Sequence, residues 1–254
     1  MLRRNEVKRK LAEGGTVHGL FCSTPAPALV EMIGCAGYDF VIIDAEHTLI
    51  DPQQLENLIR AAEATGLTAF VRVPPDDPGA ILRALDGGAL GIVVPHVRSR
   101  ADVDAAIHAA YYAPVGMRSL GTGRAAGFGR LDPVEYIATA NAEIMLIPLI
   151  EDVEGVDAIE DILSGGSIDM VLPGPADLSQ SYGLPWQLTH PTVRSAVAGL
   201  QTACATHNVP FCAIARTPDR YTQWRNAGVR AFSLGDASDL AAAALRHNLT
   251  DLTP

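Results

Sequence analysis

Lysine is almost missing from this chain. Among 254 residues there are two, Lys8 and Lys10, both within the first ten. No later strand therefore carries an amine for a Schiff base, and neither a Schiff-base lysine nor pyridoxal phosphate is expected. Cysteine is scarce as well: Cys22, Cys35, Cys204 and Cys212 show no CxxC spacing and sit among apolar or small neighbours, the pattern of buried thiols rather than of zinc ligands or disulfides. No apolar run approaches the roughly 18 residues of a membrane span. The basic residues Arg3, Arg4, Lys8, Arg9 and Lys10 are followed by no apolar signal segment, and Asn248-Leu249-Thr250 has no secretory context, so a cytoplasmic protein is expected. Positive charge is outweighed, with a net charge of −10, which argues against nucleic acid as a partner. No GxGxxG opens a helix after the first strand; Gly121–Gly129 (GTGRAAGFG) resembles one but follows a long connection without a strand, so no nicotinamide cofactor is expected. No repeat and no low-complexity linker divides the chain, so residues 1–254 are expected to form a single domain.

What the chain does have is hydrophobic residues, 48% of the total, gathered in short runs rich in β-branched side chains. These runs predict strands at 17–23, 39–46, 68–73, 90–96, 144–151, 169–175, 210–215 and 231–236. Most are separated by helical patterns such as that beginning at Asp51-Pro52 and stopping at Gly66. A first helix is expected within 1–14 and a last helix with its tail at 237–254. Strands apolar on both faces and alternating with helices imply a parallel sheet covered by helices. Eight such units define an α/β fold of the closed (β/α)8 TIM barrel kind rather than an open sheet.

In such a barrel ligands meet the C-terminal ends of the strands, and that is where the polar groups concentrate. The second strand ends in Asp44, Glu46 and His47, the third in Arg72, the fourth in His96, the fifth in Glu151 and Asp152, the sixth in Asp177 and the eighth in Asp236. Glu151 and Asp177 end neighbouring strands. Separately each would serve as a helix cap or a solvated acid; together with waters and a substrate carbonyl they suit an octahedral cation such as Mg²⁺ or Mn²⁺. Arg72 closes an apolar strand, and a guanidinium there either pairs with a protein carboxylate or holds a substrate carboxylate or developing enolate. His47 is the natural general base near neutral pH, although a lone histidine is often structural. Asp86, from its residue pattern alone, is an ordinary acid at a helix end.

Taken in order, the segments 42–47 (IIDAEH), Arg72 within 71–73 (VRV), 85–97 (LDGGALGIVVPHV), 113–119 (APVGMRS), 148–152 (PLIED) and 174–179 (GPADLS) resemble the HpcH/HpaI aldolases, metal-dependent class II pyruvate aldolases on a phosphoenolpyruvate/pyruvate-type barrel. The resemblance spans essentially the whole chain. It implies that His47 is the catalytic base, Asp86 its partner, Arg72 the transition-state stabiliser, and Glu151 and Asp177 the ligands of Mg²⁺ or Mn²⁺, with Co²⁺ admissible. It implies that Gly174, Pro175, Ala176 and Asp177 receive a substrate carboxylate. It further implies a homohexamer, a trimer of dimers, whose C-terminal helix is exchanged between subunits. The reaction implied is reversible cleavage of a 4-hydroxy-2-oxo acid to pyruvate and an aldehyde through a metal-stabilised enolate.

Two positions depart from the common pattern. Leu149 stands where many members carry a glutamine two residues before the metal glutamate, removing a polar group from the substrate pocket. Arg124 lies on a glycine-rich connection and, with Arg118, would suit a substrate with additional carboxylates; otherwise it is a surface arginine. These departures point to the family's siderophore-biosynthesis branch, which makes citrate from oxaloacetate and acetyl-CoA. Arg216 after the seventh strand is a further candidate contact. A reading of another class, a barrel that binds a 2-oxo acid without catalysis, is opposed by the intact set of His47, Arg72, Glu151 and Asp177.

Overall fold

The computed structural model describes residues 3–253; residues 1, 2 and 254 of the expected first and last helical segments lie outside it. Along the chain run α1 (Glu6–Ala12), β1 (Val17–Cys22), α2 (Pro27–Cys35), β2 (Phe40–Asp44), α3 (Pro52–Ala64), β3 (Thr68–Arg72), α4 (Pro78–Asp86), β4 (Gly91–Val94) and α5 (Arg100–Ala110). After a single 3-10 turn come α6 (Pro133–Glu143), β5 (Met145–Ile150), α7 (Val153–Asp157), α8 (Ile159–Ser164), β6 (Leu172–Pro173) and α9 (Pro175–Ser181). The chain continues with α10 (Pro191–Thr206), β7 (Cys212–Ile214), α11 (Pro218–Asn226), β8 (Ala231–Asp236) and α12 (Ala237–Leu252).

All strand pairs are parallel, in the order β6-β5-β4-β3-β2-β1-β8-β7. The remaining gap is spanned by an isolated parallel bridge between Val171 and Phe211, carried by Val171 N–H to Pro210 O and Cys212 N–H to Val171 O, both 2.8 Å. The barrel is thus nearly closed. Its seam explains why β6, expected over 169–175, retains ladder geometry only at Leu172–Pro173: Pro173 has no N–H to extend the pairing.

Strand parity sorts the side chains. Phe40 and Ile42 of β2, Phe70 of β3, Val93 of β4, Met145, Ile147 and Leu149 of β5 and Leu172 of β6 fill the barrel interior, together with Val7 from α1. The alternate residues Val41, Ile43, Val71, Ile92, Leu146 and Ile150 face the helices. Gly19 has no side chain because the Phe40 ring occupies that space. Asn5 starts α1 by accepting from Lys8 N–H at 3.1 Å, and its amide reaches Leu90 O and Glu143 O, so the helix is pinned beneath the strand starts as a stopper. Capping boxes at Asp51 and Ser99 start α3 and α5. Each helix that follows a strand begins at the mouth of the barrel and ends at its base, and this direction decides which polar groups can meet.

Candidate active site at the barrel mouth

Continuing the inward parity past the last core residue of each strand gives Asp44 on β2, Arg72 on β3 and Glu151 just beyond β5. These are the groups the structure brings together. Asp44 Oδ1 accepts from Arg72 Nε at 3.0 Å and Oδ2 from Arg72 Nη2 at 2.6 Å, a two-pronged pair that fixes the guanidinium. The same Oδ1 accepts the N–H groups of Glu46 and His47 at 3.1 and 3.2 Å. One carboxylate therefore folds the whole 44–47 turn. Burial alone would raise the Asp44 pKa, but Arg72 and these two N–H groups hold it below its ordinary value.

Arg72 Nη1 also lies 3.3 Å from Glu46 Oε2, outside a normal hydrogen bond, and that buried oxygen has no hydrogen-bond partner. The guanidinium lies over the Phe21 ring at 5.1 Å. Across the mouth, His96 takes left-handed backbone geometry, φ 51, which turns its N–H onto Glu151 Oε1 at 3.0 Å. Its Nδ1 is 3.0 Å from Asp152 Oδ2 and its Nε2 is 3.7 Å from Glu46 Oε1. Arg98 Nε meets Asp152 at 3.1 Å.

Glu151 is 2% exposed. Burial pushes its carboxyl up to about 7, against the His96 N–H and imidazole, while the charges of Asp177 and Glu46 add repulsion. Gly174 makes the position possible: a side chain there would collide with Glu151. Asp177 sits in the first turn of α9, just after β6, the neighbour of β5. A buried carboxylate repelled by two others, beside an orphaned carboxylate oxygen, is an environment that calls for a cation, so the donors present fit a hard divalent ion. Among the described residues no three His, Cys, Asp or Glu side chains already close on one point, so water and substrate oxygens would have to complete any octahedron.

The other expected residues fall as follows. His47 follows β2 at the mouth with its side chain exposed and only its backbone anchored. Leu149 is buried in the barrel interior opposite Leu172, forming an apolar floor one inward step beneath Glu151. Gly174 gives its N–H to Ile150 O at 2.9 Å and Pro175 has none, so of that segment only Ala176 and Asp177 retain N–H groups for a ligand.

Two expected residues lie away from the mouth of their own barrel. Asp86 does not stand beside His47 of its own chain: it ends α4 at the base, where Arg118 Nη2 holds it at 2.6 Å. Arg124 does not line the mouth either. It bridges the base-side ends of α3 and α4, bonded to Glu63 and, at 2.9 Å, to Gly87 O. Both placements share a physical cause, since the connection after α5 runs beneath the barrel, where Arg118 and Arg124 find carboxylate partners. Conversely, Glu46, His96 and Asp152 join the site although residue type alone singled them out only as strand-end groups. The usable signal for Glu46 was its place two residues beyond the inward-facing Asp44; nothing in the sequence marks the backbone inversion at His96.

A parallel (β/α)8 barrel with carboxylates, a fixed arginine and a histidine gathered around its mouth has the layout of an enzyme scaffold. Residues 18–244 match the family described as HpcH/HpaI aldolase/citrate lyase, and the chain belongs to that family and is an enzyme of it. It is 34% identical over 195 residues to the hydroxypyruvate/pyruvate aldolase of Roseobacter denitrificans, covering 76% of this chain and 75% of that protein. It is 38% identical over 184 residues to the 4-hydroxy-2-oxovalerate aldolase of Novosphingobium aromaticivorans, covering 71% of this chain and 68% of that one. The crystal structure of the citrate synthase SbnG superposes with a TM-score of 0.90 at 40% identity over 96% of each chain. Among the described residues no helix is long and apolar enough to cross a membrane.

Proposed function

We propose that this protein is a divalent-metal-dependent carbon–carbon lyase acting on 2-oxo acids, cleaving or forming a 4-hydroxy-2-oxo acid with pyruvate as one partner. The observation that carries the reading is the Glu151 environment, a carboxylate 2% exposed whose Oε1 accepts the His96 N–H at 3.0 Å, under the charges of Asp177 and Glu46 and beside the unpartnered Glu46 Oε2. Glu151 and Asp177 hold the cation, Mg²⁺, Mn²⁺ or Co²⁺. When bound, it neutralises these carboxylates and acts as a Lewis acid on the 2-oxo acid. Arg72, locked by Asp44 and drawn towards Glu46, supplies a preorganised positive charge where negative charge develops on the substrate. The Ala176 and Asp177 N–H groups receive the substrate carboxylate, over the apolar floor that Leu149 makes. His47 accepts and returns the proton of the acceptor hydroxyl.

Asp86 serves His47 only across a subunit contact, since it lies at the base of its own barrel with the Asp86 side chain 42% exposed beside Arg118. This favours the homohexamer, a trimer of dimers with residues 1–254 as one barrel domain per chain. The exposed Leu245, Leu249 and Leu252 of α12, spaced to share a helix face, support an exchanged C-terminal helix. We assign the protein to the cytoplasm.

A second reading, condensation of oxaloacetate with acetyl-CoA to citrate for siderophore assembly, is favoured by the near-complete overlap with SbnG at 40% identity. The deciding experiment incubates metal-loaded protein in parallel with acetyl-CoA plus oxaloacetate and with a 4-hydroxy-2-oxo acid. Chelator-sensitive thiol release with citrate selects the synthase; chelator-sensitive pyruvate release selects the aldolase. Failure of both in folded, metal-binding protein rejects the catalytic proposal.

A further inference from the structure

The chain holds 29 acidic residues, yet residues 178–235 contain one, Asp219, against five arginines. Two of the five belong to the base: Arg225 Nη1 donates to Thr16 Oγ1 at 2.7 Å, and Arg230 lies against Gly14. The other three lie at the mouth end of the β6–β7 side. Arg194 is in the first turn of α10, Arg216 in the exposed loop from β7 to α11, and Arg220 in the first turn of α11.

Among the described residues none of these three has a carboxylate within ion-pair distance, whereas Arg72, Arg118 and Arg124 each have one. Arg220 is held by Gln223 Oε1 at 2.9 Å and over the Trp224 ring at 5.7 Å, contacts that orient a guanidinium without neutralising it. Partial burial and the like charge of Arg194 push its pKa down. In an acidic protein, neighbouring cations without counter-charges are a cost that a bound anion would remove.

A second, independent feature precedes α10 in the chain. Trp186, in the turn before α10, is 77% exposed and has φ 62, left-handed geometry that a bulky residue rarely adopts. The backbone thus presents an indole to solvent in the turn that leads into α10. Exposed aromatic faces beside arginines suit a planar base carrying phosphates.

We propose that Arg194, Arg216 and Arg220, with Trp186, form a docking rim for the phosphate groups of a second substrate entering the mouth beside Asp177. The shared ligand chemistry is a phosphate-bearing reactant, either a coenzyme A thioester or a phosphorylated aldehyde. The exposed indole favours the nucleotide of coenzyme A. The inference rests on the reading of the mouth as a site that joins or splits a 2-oxo acid and a second reactant.

The test is calorimetric binding to the full-length, chelator-treated protein, which needs no turnover. The probes are coenzyme A, its 3′-dephospho form, glyceraldehyde 3-phosphate and unphosphorylated glyceraldehyde. Coenzyme A should bind with a salt-dependent affinity, and Arg194→Gln with Arg220→Gln should weaken it at least about tenfold per guanidinium. Arg220→Lys should recover part of the loss, and Trp186→Gly, which suits the backbone, should weaken coenzyme A but not glyceraldehyde 3-phosphate. If glyceraldehyde 3-phosphate binds instead, with the same arginine dependence, the aldehyde is the source. If neither phosphorylated probe binds, or both bind the double variant as tightly as wild type, the rim is rejected. Arginine-dependent binding in a protein with no turnover keeps the rim and rejects the catalytic reading. Turnover with unchanged KM for the phosphorylated substrate in the double variant does the reverse.

Discussion

The two ends of this barrel are built on opposite electrostatic terms. At the base, acids are matched by cations: Lys8 meets Asp169 at 2.8 Å, Lys10 meets Asp39 at 2.8 Å, Arg118 holds Asp86 and Arg124 holds Glu63. Tyr111 Oη adds a hydrogen bond to Asp169 at 3.1 Å, and the stopper helix is tied in by the buried Asn5 amide. At the centre of the mouth, Asp44, Glu46, Glu151, Asp152 and Asp177 outnumber Arg72, His96 and Arg98, while Arg194, Arg216 and Arg220 stand apart on the β6–β7 rim. Within its own chain the base pairs these charges, which favours stability. The centre of the mouth leaves negative charge uncompensated, as a site for a cation and a polar substrate must. Conserving charge type while moving it from one end to the other would therefore change the protein's behaviour more than its fold.

The largest expected effects break the mouth. Glu151→Ala or Asp177→Ala should bring metal-dependent turnover to background with the circular dichroism spectrum retained; wild-type rates in either variant would sink the ligand assignment. Arg72→Ala should lower kcat on the order of 10²–10³-fold, the scale of removing one preorganised charge donor, read from steady-state rates at saturating metal.

A pH experiment sharpens the contrast. The carboxyl of Glu151 is raised in the folded state, so the metal-free protein loses stability as pH climbs from the ordinary glutamate range through about 7. Glu151→Gln removes that cost and should be the more stable by a few kcal/mol at pH 8, the order implied by a shift of this size. The gap should close towards pH 4, and Mn²⁺ should stabilise wild type but not the variant. Asp44 has the opposite sign: its pKa is lowered, so the stability it contributes is present above its unfolded value and is lost as pH falls below about 3.9. Urea melts across this range separate the two groups.

At the base, Asn5→Ala should cost roughly 1–3 kcal/mol by leaving buried carbonyls without a donor, with kcat unchanged. A large kcat loss would mean that the stopper helix reaches the chemistry. The smallest effect on catalysis belongs to Arg124→Gln, which loses the bond to Glu63 but touches no mouth residue of its own barrel and should leave KM for every carboxylate substrate within about twofold of wild type. A tenfold rise in KM would move Arg124 back to the site.

The same division governs what could be read in advance. The mouth positions of Arg72 and Glu151 were legible because a strand alternates its faces: once Phe70 and Leu149 are assigned inward, the residues two further on emerge at the mouth, whereas Asp177 was legible only as an acid soon after the sixth strand. Asp44 and Glu46 were visible as strand-end acids, but their pairing with one arginine was not. Asp86 and Arg124 were placed by resemblance and by composition, neither of which carries the direction of a helix or the path of a long connection. His96 was named at a strand end, yet its grip on Glu151 depends on a φ that no residue pattern announces.

The sequence by itself determined the eight-strand rhythm, the apolar interior and the list of groups leaving the strand ends, because period-two burial and helix punctuation are local properties written in neighbouring residues. Only the tertiary structure decided which end of the barrel each charge occupies, which acid holds Arg72, and that Gly174 makes room for Glu151. Those outcomes depend on closure of the barrel, which brings residues as distant as Asp44 and Arg72, or Arg124 and Glu63, within hydrogen-bond reach, and on the direction in which each connection leaves it.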